Sequence, residues 1–154
     1  MTNLAIGAIK MIRIEHSIVI NRPIEEVFAF LANPENAPKW DPTIIETKIT
    51  SEGPIGVGTK GLNVGQILGR RNEFTFEYDV YEPPRKVSGH TTSGPMEVWM
   101  SNTFESFEGG TRVTHNLEIK LGSRMKVPEP MVAMAMKRQI KKNFANLKAL
   151  LEPS

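Results

Sequence analysis

From Ile12 to Ile20 the residues Ile12, Ile14, His16, Ile18 and Ile20 alternate with Arg13, Glu15, Ser17 and Val19. A period of two sends the two sets to opposite faces of a pleated strand, so this run predicts a half-buried strand. The period then changes. Asn21 suits a helix N-cap, Pro23 the first turn, and Glu25 and Glu26 the positive end of the helix dipole. Val27, Phe28, Phe30 and Leu31 give that helix an apolar stripe, and Asn33–Pro34 stops it. A second, weaker turn is predicted over Pro34 to Ala37, ended by Pro38. Trp40 follows beside Asp41 and Pro42, and as a core anchor, an interface residue or a pocket lip it is assigned first to the core.

Beyond Thr43 the pattern is again that of strands: Ile45 to Ser51, Thr59 to Leu68, Glu73 to Tyr81, Lys86 to Thr92, Glu97 to Phe107 and Thr111 to Leu121. Phe74, Phe76, Tyr78 and Val80 alternate with Glu73, Thr75, Glu77 and Asp79, and Val113, His115, Leu117, Ile119 and Leu121 share one phase. The intervening turns are short, "EPPR" and "EGG" among them, which points to an antiparallel meander. From Pro128 to Leu151 the period becomes helical: Ala133, Met136, Ile140, Phe144, Leu147 and Leu151 form one stripe, with Lys137, Arg138, Lys141, Lys142 and Lys148 largely opposite. The order is strand, short helix pair, six strands and long helix, an α+β arrangement in which the long helix covers the apolar face of the sheet.

Composition narrows the classes. The 154 residues suit one domain, read here as 11–154, with residues 1–10 as a loosely held extension lacking a secretory pattern. Nineteen Lys and Arg against seventeen Asp and Glu leave a net charge of +2, too balanced to indicate nucleic acid. The chain has no cysteine, so disulfides, a thiol nucleophile and thiolate metal sites are excluded, and a reducing cytoplasm suits it. No apolar run approaches the roughly 20 residues that span a bilayer, so stable membrane insertion is not expected.

The stretches "INRPIEEVFAFLANPENAPKWDP", "GPIGVGTKG", "YEPPRKV", "FESFEGGTRVTHNLEIKL" and "NFANLKALLE", in that order, resemble the polyketide cyclase/dehydrase-like branch of the START/Bet v 1 (SRPBCC) superfamily over about Ile12 to Glu152. The resemblance implies a helix-grip fold, a seven-stranded antiparallel sheet wrapped around a long C-terminal helix with two short helices after the first strand and an apolar cavity within. It implies binding or transformation of lipids, sterols, polyketides or aromatic compounds. No universal catalytic signature comes with it, so no catalytic residue is assigned.

Several motifs are weighed against simpler readings. "GVGTKG", Gly56 to Gly61, matches a dinucleotide fingerprint, but a strand follows where a helix would be needed, so the glycines read as turn residues. His16, His90 and His115 match no metal spacing, and neither a metal nor a cofactor is expected. Glu73, Glu77 and Asp79 fall on the solvated side of their strand. Ser, His and Asp lack the context of a nucleophile elbow. The strongest functional signal is a set of large, soft side chains: Trp40, Phe74, Phe76, Tyr78, Met96, Trp99, Met100, Met131, Met134 and Met136. Taken singly each reads as core; taken together they are candidates to line a pocket, with His16, Tyr78, His90 and His115 as polar members. Trp99 can face either way, depending on a bulge near Gly94–Pro95. The leading expectation is a binder of a small hydrophobic or aromatic molecule. The alternatives are a polyketide cyclase or dehydratase using the same cavity, and a protein-interaction module or homodimer with a filled core.

Overall fold

A computed structural model describes residues 10–67, 69–121 and 128–153. The expectation for residues 1–10 lies outside these apart from Lys10, and Leu68 lies outside as well. The elements are β1 (Lys10–Ile20), α1 (Ile24–Ala32), a 3-10 turn (Pro34–Asn36), α2 (Ala37–Trp40), β2 (Ile44–Ile49), β3 (Lys60–Ile67), β4 (Arg70–Glu82), β5 (Lys86–Ser93), β6 (Glu97–Phe107), β7 (Gly110–Leu121) and α3 (Glu129–Leu151).

The strands form one seven-stranded antiparallel sheet in the order β1-β7-β6-β5-β4-β3-β2. Successive strands from β2 to β7 are neighbours because their connections are short. At the β6–β7 turn Glu108 and Gly109 both take positive φ, 48° and 82°. That geometry matches the right-handed twist of the flanking strands and closes the hairpin in two residues. The first strand pairs with the last, so β1 and β2 lie at opposite edges, and α1, the 3-10 turn and α2 span the sheet between them.

Two local expectations are corrected. Asn21 does not cap α1: Pro23 stands at the N-cap, and its carbonyl accepts from the N–H groups of Glu26 and Val27. Asn21 instead donates its backbone N–H to the Glu152 carboxylate beyond α3. Pro38 does not end the second turn but sits in the first turn of α2, where the N–H it lacks has no intrahelical partner to lose. Asn33 does end α1, and its side chain accepts from Glu35 N–H to start the 3-10 turn.

The helices close one face of the sheet. Val27, Phe28, Leu31 and Ala32 are the buried positions of α1, and the Phe28 ring meets Phe104 at 5.1 Å and Tyr81 at 5.5 Å. On α3 the buried residues are Ile140, Asn143, Phe144 and Leu147, and the helix packs chiefly along β1 and α2. Lys148 Nζ donates to the Val19 carbonyl at 2.6 Å, and Arg22 Nε donates to the Leu151 carbonyl at 2.6 Å, fastening the helix end to β1 and its exit. Ile20, Val27, Val113, Ile119 and Leu147 have no exposed surface. Among the described residues no helix is long and apolar enough to cross a membrane.

Candidate functional site

The period-two alternation decides which side chains meet the helices. On β1 and β7, Ile14, His16 and Ile18 lie opposite Leu117, His115 and Val113, all on the inner face. On β6 the same face carries Val98, Met100, Asn102 and Phe104, opposite Ile119, Leu117, His115 and Val113. His16, His115 and Asn102 therefore form one polar row across three strands, set within apolar rows on either side.

Phe144 of α3 stands over this row. Its ring lies 5.0 Å from the His115 ring, 5.6 Å from His16 and 5.3 Å from the Trp40 indole. Trp40 is thus partly buried against the core, as its first assignment had it. His115 is 6% exposed and its Nδ1 lies 2.7 Å from Asn102 Oδ1. A carbonyl oxygen cannot donate, so Nδ1 carries the proton and Nε2 keeps a lone pair. Burial, with the neighbouring His16, pushes the His115 pKa down to about 4 and keeps the ring neutral. Burial, and then Lys141, also lowers the pKa of His16.

A second polar chain joins α2 to α3. Asp41 accepts from Thr43 N–H at 2.9 Å and from Thr43 Oγ1 at 2.6 Å, and it is also hydrogen-bonded by Asn143. Gln139 Nε2 in turn donates to Asn143 Oδ1 at 2.9 Å. Burial raises the Asp41 pKa against these hydrogen bonds, which favour the carboxylate. Asn102 and Asn143 were not singled out from the sequence. The signal was available: each is a polar residue on an apolar phase, Asn102 between Met100 and Phe104, Asn143 between Ile140 and Leu147.

The other candidates divide. Phe76 and Tyr78 are buried on the inner face of β4, with Phe74 partly buried one step along. The Tyr78 hydroxyl donates to the Ala32 carbonyl at 2.8 Å, tying α1 to the sheet, and burial raises its pKa. Met96, Met100 and Met136 are partly buried. Met131 and Met134, by contrast, are 63% and 61% exposed, because they fall off the α3 stripe that carries Met136 and Ile140.

Trp99 and His90 lie on the outer face. The β6–β7 register runs unbroken from Glu97 to Phe107, so no bulge turns Trp99 inward. His90 Nδ1 lies 2.6 Å from Asp79 Oδ1 on the same outer face. The β4–β5 register shifts twice, at Thr75/Phe76 and at Tyr78/Val80, and the second shift leaves Asp79 as an extra residue. It shifts the phase, so Tyr81 rather than Val80 packs on Phe28. Ser88, Ser101 and Asn116 are short neighbours across β5, β6 and β7, between the longer Lys86 and Trp99. They floor an open outer groove of about 280 Å³.

The residues following Gly56–Gly61 form β3, so no helix N-terminus stands behind that loop to meet a phosphate. Among the described residues no three His, Asp or Glu side chains converge as metal ligands.

The family model described as polyketide cyclase / dehydrase and lipid transport matches residues 11–152. No curated protein sequence matches. A START superfamily protein from Mycobacterium smegmatis superposes with a TM-score of 0.74 at 13% identity, covering 91% of this chain and 97% of that one. The ginseng major latex-like protein 151 from Panax ginseng gives 0.72 at 14% identity, covering 93% and 99%. Ara h 8.0201 gives 0.69 at 16% identity, covering 92% and 98%. At these identities the likeness is one of fold.

Proposed function

This chain belongs to the polyketide cyclase/dehydrase and lipid transport family, and from that premise we propose that it binds a small hydrophobic or aromatic molecule between the inner face of its sheet and α3. The observation that carries the reading is where α3 sits. The helix packs chiefly along β1 and α2, and part of the inner face of β6 and β7 stays only partly buried, beside the closed patch of Phe76, Tyr78 and Val87. Met96, Val98, Met100 and Leu117 of the sheet, and Val132, Ala133 and Met136 of the helix, are all partly buried. Soft, unbranched methionines suit such a surface because they repack around ligands of different shape.

Affinity comes from apolar area removed from water, at about 25 cal/mol per Å² before the costs of association. The polar row supplies orientation. With a pKa near 4, His115 is a weak base at neutral pH, better matched to accepting a hydrogen bond than to removing a proton. That favours binding over the cyclase or dehydratase reading of the same space.

Native mass spectrometry of the protein purified from its own host tests the proposal, with extraction of any retained molecule and Nile red as a neutral apolar reporter. The expected result is a bound apolar species, or an emptied site that takes up Nile red with a rise in fluorescence. Bare protein mass together with no Nile red uptake overturns it.

A further inference from the structure

The inner-face polar row contains one buried acceptor that the fold leaves without a partner. His115 is 6% exposed, and its Nδ1 is committed to Asn102 Oδ1 at 2.7 Å. Its other nitrogen, Nε2, makes no hydrogen bond among the described residues. Yet no fully enclosed side-chain nitrogen or oxygen among those residues lacks a partner. An Nε2 that keeps some accessible surface satisfies both statements.

The neighbouring residues say where that surface lies. On one side along β6 and β7 the inner face is closed by Phe104 and Val113, 4% and 0% exposed. On the other side the next pair, Met100 and Leu117, is only partly buried. Above, Phe144 covers the imidazole at 5.0 Å. A molecule lying on Met100 and Leu117 would lie one row along the strands from His115, with the closed Ile14 and Ile119 beside it.

The chemistry of a group that meets Nε2 follows from the ring. A neutral imidazole with its proton held at Nδ1 offers Nε2 a lone pair and nothing to donate. A partner must bring a hydrogen. A carboxylate brings only acceptors and a charge, and burying that charge costs several kcal/mol unless a cation meets it. The lowered His115 pKa comes from burial and His16, and the Lys141 that also lowers the His16 pKa sits at an exposed position on α3. Charging the imidazole to receive an acid is opposed by the same burial.

We infer that the inner-face site takes an uncharged ligand with an apolar body and a hydroxyl group, which donates its hydrogen to His115 Nε2. Asn102 is a positioning residue that fixes the tautomer. This rests on the binding proposal above and adds to it the polar chemistry of the ligand.

Displacement of Nile red at neutral pH by dodecanol, its methyl ether and dodecanoate tests it. The three share an apolar chain; only the alcohol carries a donor, and only the acid a charge. The wild-type protein should bind the alcohol about tenfold more tightly than the ether, the worth of one good hydrogen bond, and the acid should bind no better than the ether. His115→Leu should bring alcohol and ether to equal affinity, whereas His90→Gln on the outer face should keep the wild-type ratio. Equal displacement by all three in the wild type overturns the inference while leaving the binding proposal standing. So does a preference for the acid, or an alcohol preference that survives in folded His115→Leu. Failure of Nile red and all three compounds to bind overturns both. The wild-type ratio needs no variant, so a His115→Leu protein that does not fold leaves the test intact.

Discussion

Two histidines on opposite faces of the same sheet make the same bond to different partners. His115, on the inner face, holds Asn102 Oδ1 at 2.7 Å; His90, on the outer face, holds Asp79 Oδ1 at 2.6 Å. The inner ring is 6% exposed, whereas the outer pair is about a third open to water, with side chains 33% and 40% exposed. Inside, the partner is a neutral amide, because an ion pair there would lose its hydration with little to replace it. Outside, a carboxylate serves, since water solvates whatever charge the pair carries. The two faces therefore differ: the inner one is largely buried and neutral around His115, the outer one water-exposed with an open groove.

Replacing the cover of the inner row should have the largest effect. Phe144→Ala removes a ring that packs at once on His16, His115 and Trp40, and it should cost about 3–5 kcal/mol in denaturant unfolding, as buried aromatic truncations do. Trp99→Ala on the outer face should cost well under half of that, because the indole is 38% exposed. Equal losses would erase the distinction between the faces.

Acid should test the buried inner histidine next. In the unfolded chain His115 takes up a proton near its ordinary 6.5, but in the folded chain only at about 4. Between those values the unfolded state binds more protons, so stability rises with pH across the window and is lost on acidification. The loss from this one group is at most about 3 kcal/mol. Asp41, whose pKa is raised by burial, acts with the opposite sign. It is unchanged in an Asn102→Leu/His115→Leu double variant, which should therefore show a flatter profile between pH 6.5 and 4 than the wild type. Asp79→Asn on the outer face should shift stability at neutral pH by under about 1 kcal/mol, the smallest effect of the set, because the pair is partly open to water. A double variant as acid-labile as the wild type would count against a neutral, buried His115.

Much of this contrast was legible in the sequence. Alternation along Ile12–Ile20 and Thr111–Leu121 placed His16 and His115 on the apolar phase, and the helical stripe after Pro128 carried Phe144. What alternation cannot carry is a break in its own phase. The extra residue at Asp79 turned Tyr81 inward in place of Val80, because a bulge depends on how two strands pair and not on one strand's pattern. Trp99 was ambiguous for the same reason, and the unbroken β6–β7 register resolved it. Met131 and Met134 were grouped with the pocket by residue type, although their positions off the α3 stripe already pointed outward. Asn102 and Asn143 were passed over because a polar residue on an apolar phase reads as noise until its partner, His115 or Asp41, is seen across the fold.

The central claim is that a neutral ligand enters on the inner face and meets His115. Nitrogen-15 NMR of the histidine side chains, recorded as dodecanol is added, tests it most directly. The expected result is a saturable shift of the His115 Nε2 resonance with His90 unmoved. Dodecanol binding that leaves His115 unchanged, or that moves His90 on the outer face instead, would contradict it.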